Sequence, residues 1–482
     1  MTELAARKSM AYIKDETEYF AHQVEGIRKM AGMRSFILAD EMGLGKSIQA
    51  LTVFAIDVVL GWSKTCIIVC PASLKENWAD EIIKFMNDIP YVIMQGTPGV
   101  RTAQLMDYLR IDGPKVLICN YEQIKTHLPE LNTIGFDVAI YDEAHYIKSP
   151  KSQRTKAIHN LAARRNFLLT GTPLLNHVNE IWSLLHRIDP NRFPKYWQFV
   201  NRFCVYGGFE GRQIIGVKNE KELKEILGEY MIRRLKKDVL DLPEVQIIER
   251  RVTLTETQRK LYTKIEDELE IGMADGSTSD FNWPIVRATR LRQAVGTTFP
   301  FTGEDHSGKL DLASEDDMEL LSNGEKTVTF TQMLPVQECY IRRLQKLDSS
   351  IPIWILNGEV PIPQRISTVN AWRDHKGPAA LVCMLQVAGV GLNMTAARHG
   401  AFLDKLFVPG LNNQAIDRMH RIGASATQPV QIRDYLARNT VDTRLQSILN
   451  LKTKLSDDII EVDSSWTRKI IAALAVEDDD AA

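Results

Sequence analysis

Cysteine is scarce: the 482 residues hold six, and no two of them form a C-x-x-C pair. A zinc knuckle or a disulfide framework is therefore not expected. Cys66, Cys70, Cys119, Cys204, Cys339 and Cys383 mostly fall in apolar stretches, where small buried thiols are ordinary. Long apolar runs are missing too. No segment approaches the ~20 consecutive apolar residues that a membrane span needs. The opening MTELAARKSMAYIKDE has no apolar core followed by small residues, so it does not read as a secretory leader. The expectation is a soluble, intracellular protein. Nor is there an excess of either charge: 59 Lys and Arg stand against 61 Asp and Glu, a net charge of −2. This excludes a generally basic, histone-like coat, and any nucleic-acid contact must come from local clusters.

What the chain does have is length and pattern. With 44% hydrophobic and 25% charged residues it can build two or three cores, and two domains of roughly 200 residues are expected. Short apolar runs alternate with helical-period segments at 35–39, 66–70, 115–119, 138–141 and 166–170. A second series follows at 327–331, 352–356, 380–384, 401–403 and 430–435. This alternation predicts an α/β chain with two parallel sheets in tandem, each covered by helices. Between the series lie a charged helical segment (257–272), a Gly/Ser-rich patch (274–280) and an acidic stretch (314–319), which suggest helical insertions and loops. The expected organisation is a lobe at 1–235, a linker and helical insertion region at 236–325, a second lobe at 326–460 and a short acidic tail at 461–482.

The sharpest local pattern is ADEMGLGKSIQA at 39–50, a strand end, a tight loop and a helix start. In such a loop successive backbone N–H groups and the helix N-terminus point at a phosphate. Gly43 and Gly45 let the chain pass close to it. Lys46 neutralises β- and γ-phosphate charge, and the Ser47 hydroxyl can hold Mg²⁺. Asp40, Glu41, Met42 and Leu44 complete the loop, with Asp40 standing where the common pattern has glycine.

At 138–145 the chain reads VAIYDEAH, an apolar strand that delivers two adjacent acids to its end, where open α/β sheets place ligands. A lone Asp-Glu pair would be an ordinary solvated strand end. Paired with the lysine loop upstream, Asp142 is expected in the Mg²⁺ shell and Glu143 as the group that orients and deprotonates the attacking water.

In order along the chain, ADEMGLGKS, CPASLKENWADE (70–81), CNYEQI (119–124), YDEAH (141–145) and LLTGTPLLN (168–176) resemble the first motor domain of the SWI/SNF-like ATPases. TFTQM (329–333), VAGVGLNMTAA (387–397) and NQAIDRMHRIG (413–423) are similar to that family's second-domain motifs. The resemblance implies two RecA-like lobes with ATP bound between them, and it accounts for Asp40. It also carries over single residues. Gln23 resembles the glutamine that reads the adenine edge. Arg418 and Arg421 resemble arginine fingers that reach the triphosphate, with Gln414 one helical turn before Arg418. Thr170, Gly171 and Thr172 would connect the nucleotide site to the polynucleotide track. IRRLKKDV at 232–239 resembles the segment that braces the lobes. As the densest basic cluster in the chain it could also contact phosphates through Arg233, Arg234, Lys236 and Lys237. His145 and His420 have no metal-type partners nearby in sequence and read as coupling or packing residues.

Some positions depart from the family pattern. Leu385 and Gln386 stand where Ser or Thr is usual, Phe407 where tryptophan is common, and Ala424 where Gln often follows. The implied activity is ATP-dependent translocation on double-stranded or branched DNA, with ATP and Mg²⁺ as cofactors. The expected protein is a monomer without membrane contact, with a protein partner as a candidate for directing it to its sites. It would act on DNA in the cytoplasm of a bacterial or phage-infected cell, or in the nucleus if eukaryotic. A strand-separating helicase, a motor subunit of a nuclease or restriction system and a non-catalytic DNA-binding scaffold are the rival readings.

Overall fold

The computed structural model describes residues 12–171, 178–207, 213–240, 244–274, 283–388, 392–407, 409–420, 429–447 and 449. Among these, no helix is long and apolar enough to cross a membrane. The chain divides into two compact units, the first ending at Asp241 and the second beginning at Leu242.

In the first unit the strands are β1 (Ser35–Leu38), β2 (Thr65–Cys70), β3 (Tyr91–Ile93), β4 (Lys115–Asn120), β5 (Phe136–Asp142), β6 (Ala163–Leu169), β7 (Cys204–Gly207), β8 (Gln213–Val217) and β9 (Met231–Ile232). Seven of them form one sheet in the order β3-β4-β2-β5-β6-β1-β9, and every pairing in it is parallel. β7 and β8 make a separate antiparallel pair. The central strands are continuous apolar runs because both faces are covered. Ile37, Ile67, Val69, Leu117, Ala139 and Leu168 pack into one core. Their neighbours Phe36, Leu38, Ile68, Val116, Ile140 and Phe167 pack into the other. That is the two-residue period of a buried parallel sheet.

The second unit repeats the plan with β10 (Val245–Val252), β11 (Lys326–Thr331), β12 (Ile353–Leu356), β13 (Ala379–Met384), β14 (His399–Phe402) and β15 (Val430–Ala437). Their order is β10-β15-β14-β11-β13-β12, again parallel throughout. Val328, Phe330, Leu381 and Cys383 face one core, and Ala380 and Val382 the other.

Each of the ten apolar runs named in the sequence is a strand, so the α/β fold with two parallel sheets is observed. Five strands carry no such run: β3 and β9 are three and two residues long, β7 and β8 form the separate antiparallel pair, and β10 is mostly exposed at a sheet edge. The region 236–325 needs correction as a separate linker and insertion. Its strand β10 pairs with β15 along eight residues. Its helix Gly308–Ser322 places Leu310, Ala313 and Leu321 in the same core as Tyr340 and Val382. The patch from 275 to 280 and the tail at 461–482 lie outside the described residues.

Parallel strands share one carboxyl edge, where open sheets bind ligands. In the order β4-β2-β5-β6-β1, that edge carries in turn Tyr121, the segment after Cys70, Asp142 and Glu143, Thr170, and the loop from Ala39 to Gly45. Five separate sequence motifs become spatial neighbours through sheet order alone.

Candidate active site

The phosphate loop leaves β1 and ends at the helix Lys46–Val59, with Gly45 as its N-cap. Gly43 and Gly45 adopt φ of 85° and 72°, the left-handed region that glycine enters without strain. Space is short as well: a Cβ on Gly45 would lie 2.3 Å from Gln23 Nε2. Gln23, on the helix Ala21–Ala31, is buried beneath this loop. Its Nε2 donates to the Leu44 carbonyl at 3.3 Å, and its Oε1 accepts from the Phe20 N–H at 3.1 Å. The Lys46 ammonium donates to the carbonyls of Asp40 at 2.8 Å and Glu41 at 3.3 Å, folded over the loop it follows. Ser47 is half-buried in the first turn of the helix. The first-turn N–H groups of a helix have no intrahelical acceptor, which makes this helix start a candidate anion site.

Asp142 is the last residue of β5, and Glu143 follows with φ 50° and ψ 52°. One Asp142 oxygen accepts from Trp78 Nε1 at 2.9 Å, and the other from the Glu143 N–H at 2.9 Å. Burial, and then the neighbouring Glu143 carboxylate, push the Asp142 carboxyl up to about 6. The Trp78 hydrogen bond and the Lys46 ammonium pull in the opposite direction. Lys46 and Asp142, far apart in sequence, thus share one electrostatic site. Glu143 Oε2 lies 3.2 Å from His145 Nδ1. Trp78, on the helix Lys75–Phe85, and Tyr121, whose hydroxyl donates to the Asp142 carbonyl at 2.6 Å, were not singled out from the sequence. Both lie in quoted motif segments, 70–81 and 119–124, and that is the signal that could have found them.

Asp40 and Arg234 require a correction. Asp40 was expected at the nucleotide, and Arg234 in a bracing segment that could also reach DNA phosphates, but the two side chains hold each other. Arg234 Nε and Nη2 donate to the two Asp40 oxygens at 2.8 and 2.5 Å, and both side chains are buried. Nη2 also reaches Gln49 Oε1 at 3.2 Å, and Nη1 donates to the His22 carbonyl. A carboxylate without solvent access needs such a partner, and the forked guanidinium supplies two parallel bonds. The chain carrying Arg234 is fixed by its backbone: the Ala39 N–H donates to Ile232 O at 2.8 Å, and the Glu41 N–H to Arg234 O at 2.9 Å. Glu41 Oε2 in turn accepts from the Lys236 N–H at 2.6 Å, so Glu41 is also tied to this segment. Lys236 is buried, Arg233 half-buried, and Lys237 exposed. The basic cluster is therefore mainly a brace for the phosphate loop.

Thr170 is buried, its N–H bound to Leu38 O at 3.1 Å. A Cβ on Gly171 would lie 2.6 Å from Met42 Cγ and 3.7 Å from Lys46 Nζ, so this turn presses directly on the phosphate loop. Thr172 lies outside the described residues. In the second unit, Gln414 and Arg418 are both buried on the helix Pro409–Met419, one turn apart. The Arg418 carbonyl accepts from the Met394 N–H at 2.9 Å. Arg421 lies outside the described residues.

Comparison with known proteins adds a lineage to this geometry. The family model described as SNF2-related domain matches residues 22–297, and that described as Helicase conserved C-terminal domain matches 313–423. An uncharacterized ATP-dependent helicase, MG018 of Mycoplasma genitalium, is 28% identical over 465 residues, covering 93% of this chain and 43% of that protein. The DNA annealing helicase and endonuclease ZRANB3 of Mus musculus is 29% identical over 449 residues, covering 87% of this chain and 38% of that protein. The chain thus spans about two fifths of the length of these relatives. A Sulfolobus solfataricus SWI2/SNF2 ATPase core solved in complex with dsDNA aligns over 95% of both chains, at 22% identity and a TM-score of 0.44. The first family model alone spans more than half of the chain and takes in every motif gathered at the first sheet's carboxyl edge, so this chain belongs to the SNF2-related family.

Proposed function

We propose that the chain hydrolyses ATP to ADP and phosphate and uses that cycle to move along double-stranded or branched DNA. One observation carries the reading: Lys46, Asp142, Glu143 and Gly171 converge at one edge of one parallel sheet, beside a helix N-terminus. The loop N–H groups and Lys46 bind the triphosphate, and Gln23 beneath the loop addresses the adenine. Glu143 orients the attacking water and takes its proton.

The residues suit Mg²⁺. Two adjacent carboxylates, one of them pushed up by burial and then by its neighbour's charge, leave negative charge that a divalent cation relieves. Asp142 and the Ser47 hydroxyl supply the oxygen ligands that such a hard ion prefers. When bound, Mg²⁺ would neutralise phosphate charge. Arg418 and Arg421 are the cations proposed to steady the transferring phosphoryl group, and Thr170 to Thr172 the link from nucleotide to track.

The names of the relatives, a helicase and a DNA annealing helicase, support DNA as the track, and a role in repair, recombination or fork remodelling is proposed with it. Exposed Lys237 and half-buried Arg233 are the candidate phosphate contacts in the 232–239 segment. The test is the ATPase rate with single-stranded, duplex and branched DNA, run beside a strand-displacement assay. Duplex or branched DNA should stimulate most, with little displacement and no dependence on base sequence. Best stimulation by single strands with efficient displacement would favour the strand-separating helicase.

A further inference from the structure

Glu143 holds a left-handed backbone conformation, which a non-glycine residue keeps only when its surroundings impose it. Those surroundings are specific. The peptide between Asp142 and Glu143 is gripped at both ends: its N–H donates to Asp142 Oδ1 at 2.9 Å, and its carbonyl accepts from the Tyr121 hydroxyl at 2.6 Å. The next carbonyl, that of Glu143, accepts from the Tyr146 N–H at 2.9 Å. The rings of Tyr121 and Tyr146 are stacked, with centroids 5.5 Å apart and planes within 12°. Tyr146 is 37% exposed. The Arg154 guanidinium lies 5.3 Å over its ring and pairs with Glu122, the residue after Tyr121, at 2.5 Å. A continuous set of contacts therefore runs from a surface cation, through two stacked rings, to the peptide that aims the water-activating acid.

We propose that Tyr121 and Tyr146 are positioning residues through which capture of a polynucleotide phosphate by Arg154 sets the orientation of Glu143. The inference rests on the reading of the chain as a DNA-dependent ATPase. Arg154 and Glu122 form a part-exposed pair, which holds weakly. A phosphodiester takes a guanidinium through two parallel bonds and so competes for Arg154. Drawing Arg154 from Glu122 also takes its charge off the Tyr146 face. The stack then shifts, and the Tyr121 hydroxyl turns the 142–143 peptide with it.

The experiment is steady-state ATPase kinetics of the full chain under duplex titration, for Tyr121→Phe, Tyr146→Leu, their double variant and Arg154→Ala. Tyr121→Phe should lower kcat at saturating DNA about tenfold, with the KM for ATP and the half-saturating DNA concentration unchanged. Tyr146→Leu should cause a similar loss, and the double variant should be no worse than either single one, because both break one line of contacts. Arg154→Ala should raise the half-saturating DNA concentration about fivefold in low salt. Inorganic phosphate in place of DNA should not stimulate. Multiplying losses in the double variant, an unaltered Tyr121→Phe enzyme, unchanged DNA half-saturation in Arg154→Ala or stimulation by inorganic phosphate would each overturn the proposal. Should Tyr146→Leu fail to fold, the kcat and KM of the more conservative Tyr121→Phe decide. A wild-type chain that DNA does not stimulate refutes the DNA-dependent reading itself. Stimulated wild type with unaffected variants refutes only the relay.

Discussion

Replacing Arg234 with alanine separates a brace from a DNA contact. Arg234 and Asp40 are both buried, and Asp40 has no solvent-exposed surface. The substitution removes two charge-assisted bonds to Asp40, a longer one to half-exposed Glu25, one to Gln49 and one to the His22 carbonyl. Breaking a buried pair from one side leaves an uncompensated charge and costs about 3–5 kcal/mol. At about 2–4 °C per kcal/mol for a unit of this size, the first unit's calorimetric transition should fall by about 6–20 °C. Nucleotide affinity should fall too, because Asp40 opens the loop whose carbonyls hold Lys46. Asp40→Ala in the Arg234→Ala background should recover part of the lost stability, since no lone charge then remains buried. Lys237→Ala is the control: its side chain is exposed, so the melting temperature should stay put while DNA affinity declines modestly. The reasoning is refuted if Arg234→Ala melts like wild type and loses DNA affinity alone.

Other perturbations test the nucleotide site and the surrounding core. Lys46→Ala should abolish turnover through weaker triphosphate binding, read by nucleotide titration, and a near-normal rate at saturating ATP would remove Lys46 from the site. Glu143→Gln keeps the shape without the base, so ATP should still bind while single-turnover hydrolysis slows by ~100-fold or more; collapse of affinity along with rate would assign it a structural role. Gly45→Ala forces a Cβ into the left-handed region 2.3 Å from Gln23 Nε2 and should weaken nucleotide binding without unfolding the second unit. Unchanged affinity in that variant would mean the loop does not approach phosphate. His159 is held down to about 4 by burial and by neighbouring His186, against an ordinary value of 6.5. Its folded value is depressed, so its contribution is complete above pH 6.5 and disappears as pH falls toward 4. At ~1.36 kcal/mol per pH unit the whole window is worth about 3 kcal/mol. Denaturant titrations of wild type and His159→Gln across that range should converge as pH drops, and parallel curves would contradict the assignment.

The sequence by itself determined what local pattern can carry. Apolar runs marked ten strands because a central parallel strand is buried on both faces and cannot be polar. Gly43, Gly45 and Lys46 marked the phosphate loop because backbone approach and charge are properties of a few consecutive residues. The adjacent acids at 142 and 143 did the same for the strand end. Edge strands escaped, since β10 is largely exposed and β9 has only two residues.

Tertiary structure alone decided which polar groups meet. Asp40 lies 194 residues from Arg234, and Trp78 lies 64 from Asp142. No periodicity within one segment encodes such pairs. A basic run at 232–239 looks like a phosphate-binding patch when only composition is read. Once β9 lies beside β1, burial turns two of its four basic side chains inward, and Arg234 meets the buried Asp40 carboxylate. Charge is a local property, but its use depends on dielectric and partner, and both are fixed only when distant strands pair.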